Sequence, residues 1–172
     1  MKNIILSIYF LLLFSGIGLS QLKLQTDYIE DDWKGIKPLI TNKVSVNELL
    51  GTPKVDDNDY YGYSSEEAFV QVNYSTAPCE DNQYKRGNFN ISKDTVLGYI
   101  VHIRQTVKLS EIKFNRGRYK KELDNHSPAL AIYHNQKDGI QIIVGIQEKD
   151  EYVENIYYRP SKKNAERFKC KD

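Results

Sequence analysis

The sequence predicts an α+β protein in which an antiparallel sheet carries a few short helices. Several segments alternate apolar and polar residues with the period of two that is typical of half-buried strands. The pair Asp138-Gly139 separates two of these segments, as in a β-hairpin. Residues 41–53 have instead the apolar spacing and the stop signals of a short helix. Together these observations favour a sheet-based domain with short helices.

The first twenty residues have the pattern of a secretory signal peptide. Lys2 is followed by an apolar run, IILSIYFLLLF, and then by SGIGLS, which ends before Gln21. A charged start, a short apolar run and small residues before the cleavage point are typical of such leaders. The run is shorter than the roughly 20 apolar residues of a membrane-spanning helix. We therefore predict a leader at residues 1–20 and a single mature domain at residues 21–172, with a retained anchor as the alternative.

The cysteines Cys79 and Cys170 are predicted to form a disulfide. An exported protein meets an oxidising compartment, where an isolated pair of cysteines most simply forms a crosslink. The chain has no C-x-x-C spacing, which makes redox chemistry a weak alternative. No cysteine directly follows the apolar run to accept a lipid. We expect a secreted or periplasmic protein with no transmembrane span after cleavage.

The charge balance argues against a nucleic-acid partner. The formal net charge is +1, with basic and acidic residues interspersed. Nucleic-acid binding usually requires a strong basic stripe. The C-terminal stretch RPSKKNAERFKCKD is locally basic; we interpret it as a solvated tail, with contact to an anionic surface as the alternative.

The first half of the mature chain is predicted to hold an irregular lead-in, a helix and three strands. Residues 21–35 form the lead-in, which docks through Trp33. Thr41 or Asn42 caps the helix, and Gly51 takes a positive φ at its end, before Pro53. The apolar face of the helix contains Val46, Leu49 and Leu50. Strands follow at residues 60–63, 68–74 and 95–103, with a polar loop containing Cys79 at residues 75–95.

The second half repeats this order of elements. GRYKKEL, residues 117–123, is predicted to be a short helix. Three strands of a β-meander follow, PALAIYH, GIQIIVGI and YVENIYYRP, the last of them ended by Pro160. The order is compatible with two helix–β-meander units. Independent elements within one α+β domain are the preferred interpretation, since residue identity between the halves is poor.

Several motifs resemble a group of uncharacterised exported bacterial proteins. They are a W-x-G-I-x-P-L segment at residues 33–39, a V-x-x-L-L-G-x-P helix end at residues 46–53, the internal Cys79, and Y-x-P-S at residues 158–161 followed by Cys170. The resemblance covers most of the mature chain. It implies export and assigns no activity.

Residues 36–74 are also similar to the SmpA/OmlA (BamE) and β-lactamase-inhibitor-protein modules. The likeness rests on the Leu-Leu-Gly-x-Pro helix end and the tyrosine-rich strand that follows it. It implies an exported fold that binds other proteins through a curved antiparallel sheet. BamE-type proteins are usually lipoproteins, and this chain departs from them in lacking the lipid-accepting cysteine.

The histidines do not form a motif of known chemistry. His102, His126 and His134 show neither H-E-x-x-H nor H-x-H spacing, and no G-x-S-x-G is present. A Ser-His-Asp set remains open, because such triads assemble in space. We predict no catalytic residues, and therefore keep a small secreted hydrolase with an unrecognised site only as the alternative function.

The acidic loop at residues 56–59 resembles a calcium loop only in part. With Asp57 as position 1, Asp59 and Gly62 fall on positions 3 and 6. Position 12 is Ala68, where a calcium loop needs a bidentate Glu. We therefore predict no metal and no cofactor, and interpret the loop as solvated.

The aromatic residues are the best candidates for binding. The chain has 13 tyrosines and one tryptophan, and aromatic side chains often anchor protein interfaces. We predict a binding surface at Trp33, Tyr61 and Tyr63, with burial in the core as the alternative. The function predicted is that of an exported, non-enzymatic binding or accessory protein whose partner is another envelope or extracellular protein.

Asn73 and Asn90 each begin an N-x-[ST] glycosylation sequon, and the sequence does not decide whether either is glycosylated.

Overall fold

The computed structural model describes residues 32–57, 60–79, 88–112 and 114–171. The predicted leader at residues 1–20 and residues 21–31 of the lead-in lie outside these residues. Within the described ranges, no helix has the length and apolar character needed to cross a bilayer.

The described chain is built around one antiparallel sheet of eight strands. The strands are β1 (Val55–Asp56), β2 (Tyr61–Ser64), β3 (Ala68–Tyr74), β4 (Val96–Lys108), β5 (Lys120–Leu123), β6 (Leu130–Asn135), β7 (Ile140–Gln147) and β8 (Asp150–Tyr158). Their order across the sheet is β1-β2-β3-β4-β8-β7-β6-β5. The helices are α1 (Lys43–Leu50) and α2 (Lys162–Arg167), with 3-10 turns at Trp33–Gly35, Leu109–Glu111 and Arg116–Arg118.

The predicted α+β class is wrong, because the sheet dominates the described structure. GRYKKEL, predicted as a helix, consists of part of the 3-10 turn Arg116–Arg118 followed by β5. A helix of that length is marginal by itself. Pairing of Lys120–Leu123 with β6 provides the segment with backbone hydrogen bonds instead. The fold is thus closer to all-β.

The repeat that the sequence suggested is found in the sheet alone. β1 to β4 form one antiparallel meander and β5 to β8 form a second. The two meanders join where β4 pairs antiparallel with β8, from Tyr99 opposite Tyr158 to Lys108 opposite Tyr152. In the described ranges an α-helix precedes the first meander, whereas a 3-10 turn precedes the second. The possible arrangement as two helix–β-meander units is therefore wrong.

One face of the sheet carries the main hydrophobic core. In β3 the alternate residues Ala68, Val70 and Val72 are buried, as period-two patterning requires. The 3-10 turn at Trp33–Gly35, α1 and the segment at residues 109–119 contribute to the same core. In β4, Leu97 belongs to a separate cluster, because the register with β3 shifts between Asn73 and Tyr74.

The helix α1 begins and ends where the sequence predicts. The Asn42 side chain accepts a hydrogen bond from the Ser45 backbone N–H, which caps the first turn. Gly51 ends the helix at φ +82°. Of the predicted apolar face, Val46 is fully buried and Leu50 packs against the core, but Leu49 is 49% exposed.

The predicted Cys79–Cys170 disulfide is confirmed. It joins the loop after β3 to the C-terminal segment after α2. Beside it a second cluster forms around Leu39, Phe89 and Leu97, with Phe168 packed against it. The crosslink therefore holds the C-terminal segment against the sheet.

Candidate binding surface

The three histidines lie on different elements of the structure. His102 Nε2 lies 3.0 Å from Gln71 Oε1, and His134 Nε2 lies 3.6 Å from the Glu122 carboxylate. His102 on β4 and His134 on β6 are three strands apart, about 14 Å at normal strand spacing. His126 is exposed in a loop. In the described ranges, no three His, Cys, Asp or Glu side chains are grouped to hold a metal ion.

The predicted aromatic surface is largely inside the protein. Trp33 is 3% exposed and Tyr63 is 1% exposed, while Tyr61 is half-buried. The Trp33 backbone N–H donates to the Tyr99 hydroxyl at 3.0 Å, and that hydroxyl donates to the Ile36 carbonyl at 3.0 Å. In this structure Trp33 and Tyr63 stabilise the core and are inaccessible to a partner.

The tyrosines near α1 form a structural hydrogen-bond cluster. The Tyr63 hydroxyl donates to Asn47 Oδ1 at 2.8 Å and lies 2.9 Å from the Tyr74 hydroxyl. Lys43 Nζ lies 3.6 Å from the centre of the Tyr61 ring. Burial raises the pKa of the Tyr74 hydroxyl well above its ordinary value, and the Tyr63 hydrogen bond adds to the effect. The cluster joins α1 to β2 and β3.

The sheet face opposite the main core is part-exposed across five adjacent strands. The side chains of this face alternate with the buried core residues along each strand. We call this set the open face, and its members are Phe69, Gln71, Ile100, His102, Asn155, Tyr157, Gln141, Ile143, Ile132 and His134.

The ten side chains of the open face are aliphatic, aromatic, amide or imidazole. Charged side chains border them: at one border of the open face, Glu154 of β8 extends over Gly145, two residues along β7 from Ile143. Lys120 and Glu122 flank the open face on β5, and Arg104 donates to the Ser64 hydroxyl at another margin. Depletion of charge at the centre with polar groups at the rim is the composition of protein interfaces.

The edges of the sheet are poorly suited to pairing with another strand. β1 has two residues. β5 has four, and its Lys120 and Glu122 form an ion pair at 2.7 Å. Short, charged edge strands discourage strand addition. A partner is therefore better accommodated on the open face than along either edge.

A cavity of about 490 Å³ lies at one end of the open face. Ile100 and Tyr157 belong to both the open face and the cavity wall. The other walls come from the second hydrophobic cluster and the segment that follows β8, including Phe89, Leu97, Arg159 and Ala165. The cavity thus lies between the sheet, α2 and the disulfide-linked segments.

Glu151 is the centre of a polar cluster at the margin of the core. Its carboxylate lies 2.6 Å from Lys121 Nζ and 3.7 Å from the Arg116 guanidinium, and accepts from the Tyr133 hydroxyl at 2.8 Å. Burial opposes ionisation of Glu151, but the Lys121 and Tyr133 hydrogen bonds and the nearby positive charges outweigh it, so its pKa is lowered. A carboxylate held ionised in this way serves stability and is a poor general acid.

Glu151→Gln is expected to lower the free energy of unfolding by about 2 kcal/mol at pH 7, since it weakens hydrogen bonds to a charged acceptor. Because the folded pKa is lowered, this stabilisation is present above the unfolded pKa of about 4.3 and is lost as pH falls through the folded pKa. The difference between wild type and variant should therefore shrink from pH 7 to pH 3. Urea unfolding at both pH values measures it.

Glu48→Gln provides the matched control for Glu151→Gln, because Glu48 is exposed on α1. It should change stability by less than about 0.5 kcal/mol. A Glu151→Gln variant as stable as this control would show that the cluster contributes nothing.

Comparison of the chain with known protein families, proteins and structures identifies no relative. No family model, no curated protein and no solved structure shows a significant match to the chain. The resemblances to the exported bacterial group and to the SmpA/OmlA (BamE) and β-lactamase-inhibitor-protein modules therefore stay predictions.

The sequence contains a signal for the open face that the prediction of Trp33, Tyr61 and Tyr63 overlooked. On an exposed strand face, alternate positions are usually charged or small polar residues. Here the positions between core residues hold Ile100 and Ile143. Apolar residues on both faces of adjacent strands indicate a second contact surface.

Proposed function

We propose that this protein is an exported, non-enzymatic binding or accessory protein of the cell envelope or exterior, which contacts another protein through the open face. The aliphatic and aromatic side chains at the centre of the open face carry the proposal. A part-exposed sheet face with aliphatic and aromatic side chains at its centre and charges at its margin matches the pattern of protein interfaces.

The dimensions of the open face favour a protein partner. It extends over β3, β4, β8, β7 and β6, which places its outer strands about 19 Å apart at normal strand spacing. A surface this broad exceeds what a small ligand covers. It offers several apolar anchors, Phe69, Ile143 and Ile132 among them, held on regular strands.

Pre-ordering of the side chains supports the same role. The Phe69 and His102 rings lie 5.8 Å apart between centroids, and the His102 ring also contacts Gln71. Side chains already held in place lose less conformational entropy on binding. The open face can therefore bind without large rearrangement.

The disulfide supports the export part of the proposal. A structural crosslink between Cys79 and Cys170 is typical of oxidising compartments. Combined with the predicted leader, it favours a secreted or periplasmic location. The hydrolase alternative has no comparable support, since the contacts of His102 and His134 in the described ranges give no Ser-His-acid arrangement.

The test is a pulldown from envelope and culture-medium extracts with residues 21–172 as bait. A partner captured by the wild type should be lost with Ile143→Lys, which places a charge at the centre of the open face. Phe69→Ala should weaken the same partner by roughly 30-fold in Kd if Phe69 is a hot spot. Circular dichroism checks that each variant folds.

Val44→Lys and His126→Ala are the controls for the pulldown. Val44 is exposed on α1 and His126 in a loop, both outside the open face. Both variants should retain the partner. Capture that survives Ile143→Lys but fails with Val44→Lys would move the contact to α1, and loss of a turnover activity in His126→Ala would favour an enzyme.

A further inference from the structure

The cavity at the end of the open face has the size and walls of a small-molecule site. Its volume of about 490 Å³ falls inside the range of roughly 300–1,000 Å³ that ligand pockets occupy. Phe89, Leu97, Ile100 and Tyr157 supply aromatic and aliphatic wall. Most of the lining would therefore contact the apolar body of a ligand.

The walls are held in place before any ligand arrives. The backbone N–H groups of Cys79 and Cys170 donate to the Phe89 and Asn88 carbonyls at 2.9 and 3.1 Å. The Asn90 N–H donates to the Phe168 carbonyl at 2.6 Å. Residues 88–90 are thus hydrogen-bonded to both segments that the disulfide joins, those at Cys79 and Cys170. Because Phe89 is already held in place, ligand binding would cost less conformational entropy.

Arg159 is the charged residue among the described residues that line the cavity. Its guanidinium carbon lies 5.9 Å from the centre of the Tyr157 ring. No carboxylate of the described chain lies within ion-pair distance of it, whereas the guanidinium of Arg118 pairs with Asp138. Arg159 is therefore available to an acid group of a ligand.

The surroundings of Arg159 are also positively charged. Over residues 159–171 the chain has one acidic residue, Glu166, while the basic residues are Arg159, Lys162, Lys163, Arg167, Lys169 and Lys171. The whole chain has a formal net charge of only +1, so this segment is more basic than the rest of the chain. A local positive potential attracts anions.

We propose that the cavity binds a small organic anion, whose apolar, ring-containing body lies against Phe89, Leu97 and Tyr157 and whose acid group pairs with Arg159. The planar guanidinium, next to the Tyr157 ring, presents donors to a carboxylate or sulfonate at the cavity mouth. This site goes beyond the proposed protein contact and needs no protein partner.

The test uses two dyes with the same ring system. 1-Anilinonaphthalene-8-sulfonate carries an anionic group, and N-phenyl-1-naphthylamine lacks it. Both are titrated against the folded, oxidised protein and followed by fluorescence. Arg159→Gln should weaken the anionic dye roughly fivefold, the upper range for an exposed ion pair, and leave the neutral dye unchanged. Ala165→Phe, which adds a ring at the wall, should weaken both dyes.

Two control variants locate the dyes. Lys149→Gln removes an equal charge at the turn between β7 and β8, far along β8 from Tyr157, and should change neither affinity. Ile143→Lys alters the open face outside the cavity and should also leave both dyes bound. Circular dichroism confirms that all four variants fold.

Several results would overturn the proposal. If wild type, Arg159→Gln and Ala165→Phe bind the anionic dye with equal affinity, the dye binds outside the cavity. If Ile143→Lys abolishes dye binding, the dye binds on the open face. An equal effect of Lys149→Gln and Arg159→Gln would reveal unspecific attraction. A folded wild type that binds neither dye would rule out the site. None of these results depends on whether a protein binds the open face.

Discussion

Replacing Cys79 and Cys170 together by serine is expected to lower the free energy of unfolding by about 4–5 kcal/mol. The disulfide joins residues 91 positions apart, and in the chain-entropy model a crosslink that closes a loop of this length removes that much freedom from the unfolded chain. Urea unfolding of the double variant and of the oxidised wild type measures the difference. Non-reduced peptide mass spectrometry should first show the two cysteines joined.

The reduced wild type is the control for the double serine variant. Both lack the crosslink, so their stabilities should agree within about 1 kcal/mol. A double variant as stable as the oxidised wild type would show that the crosslink does not constrain the unfolded chain. Free thiols in exported material would contradict the pairing itself.

Gly139→Ala is expected to cost about 3–4 kcal/mol, combining backbone strain with overpacking. Gly139 ends the β6–β7 turn at φ +77°, and a Cβ there would lie 2.3 Å from the Arg159 carbonyl oxygen and 2.8 Å from that of Pro160. Both neighbours are backbone atoms, and the Arg159 N–H donates to the Gly139 carbonyl at 2.8 Å. The turn therefore cannot accept the methyl group without moving the end of β8. Thermal and urea unfolding measure the loss.

Gly51→Ala is the matched control, since Gly51 also has a positive φ, +82°, but a Cβ there would meet nothing within 4 Å. It should cost about 1 kcal/mol, from the backbone conformation alone. The excess loss in Gly139→Ala then isolates the contact with Arg159 and Pro160. Equal losses in the two variants would show that the β6–β7 turn and the end of β8 are not packed together.

Local patterning predicted the strands that alternate clearly. β3 has the predicted bounds, and the Asp138-Gly139 pair marks the β6–β7 turn. The cap of α1 by Asn42 and its end at Gly51 were also readable, because capping and positive φ depend on a few neighbouring residues. The pairing of the cysteines followed from their number and from the predicted export.

Elements that depend on distant partners were not predictable. β4 extends to Lys108, beyond the predicted end at Ile103, because Val107 pairs with Val153 of β8. β5 takes the conformation of its neighbour β6 rather than that of a weak helix. In both cases the backbone partner lies in another strand, which alternation within one segment does not reveal.

The candidate site shows the same limit. The abundance of tyrosine suggested aromatic residues as binding candidates. Whether an aromatic side chain binds a partner or packs in the core depends on its burial, which the sequence does not show. Trp33 and Tyr63 are core because residues 33–50 pack over one sheet face. The opposite face stays part-exposed, and its residues Ile143 and Phe69 come from strands far apart in sequence.

The sequence by itself determined local features of this protein, namely which segments extend, where α1 starts and stops, and which cysteines are available to pair. These follow from side-chain periodicity and backbone preferences over a few residues. The tertiary structure decided the sheet order, the face that the core occupies, and the cavity beside Arg159. They arise when β4 pairs with β8 and the disulfide draws α2 to the sheet. Such contacts join residues distant in the chain, so no local pattern specifies them.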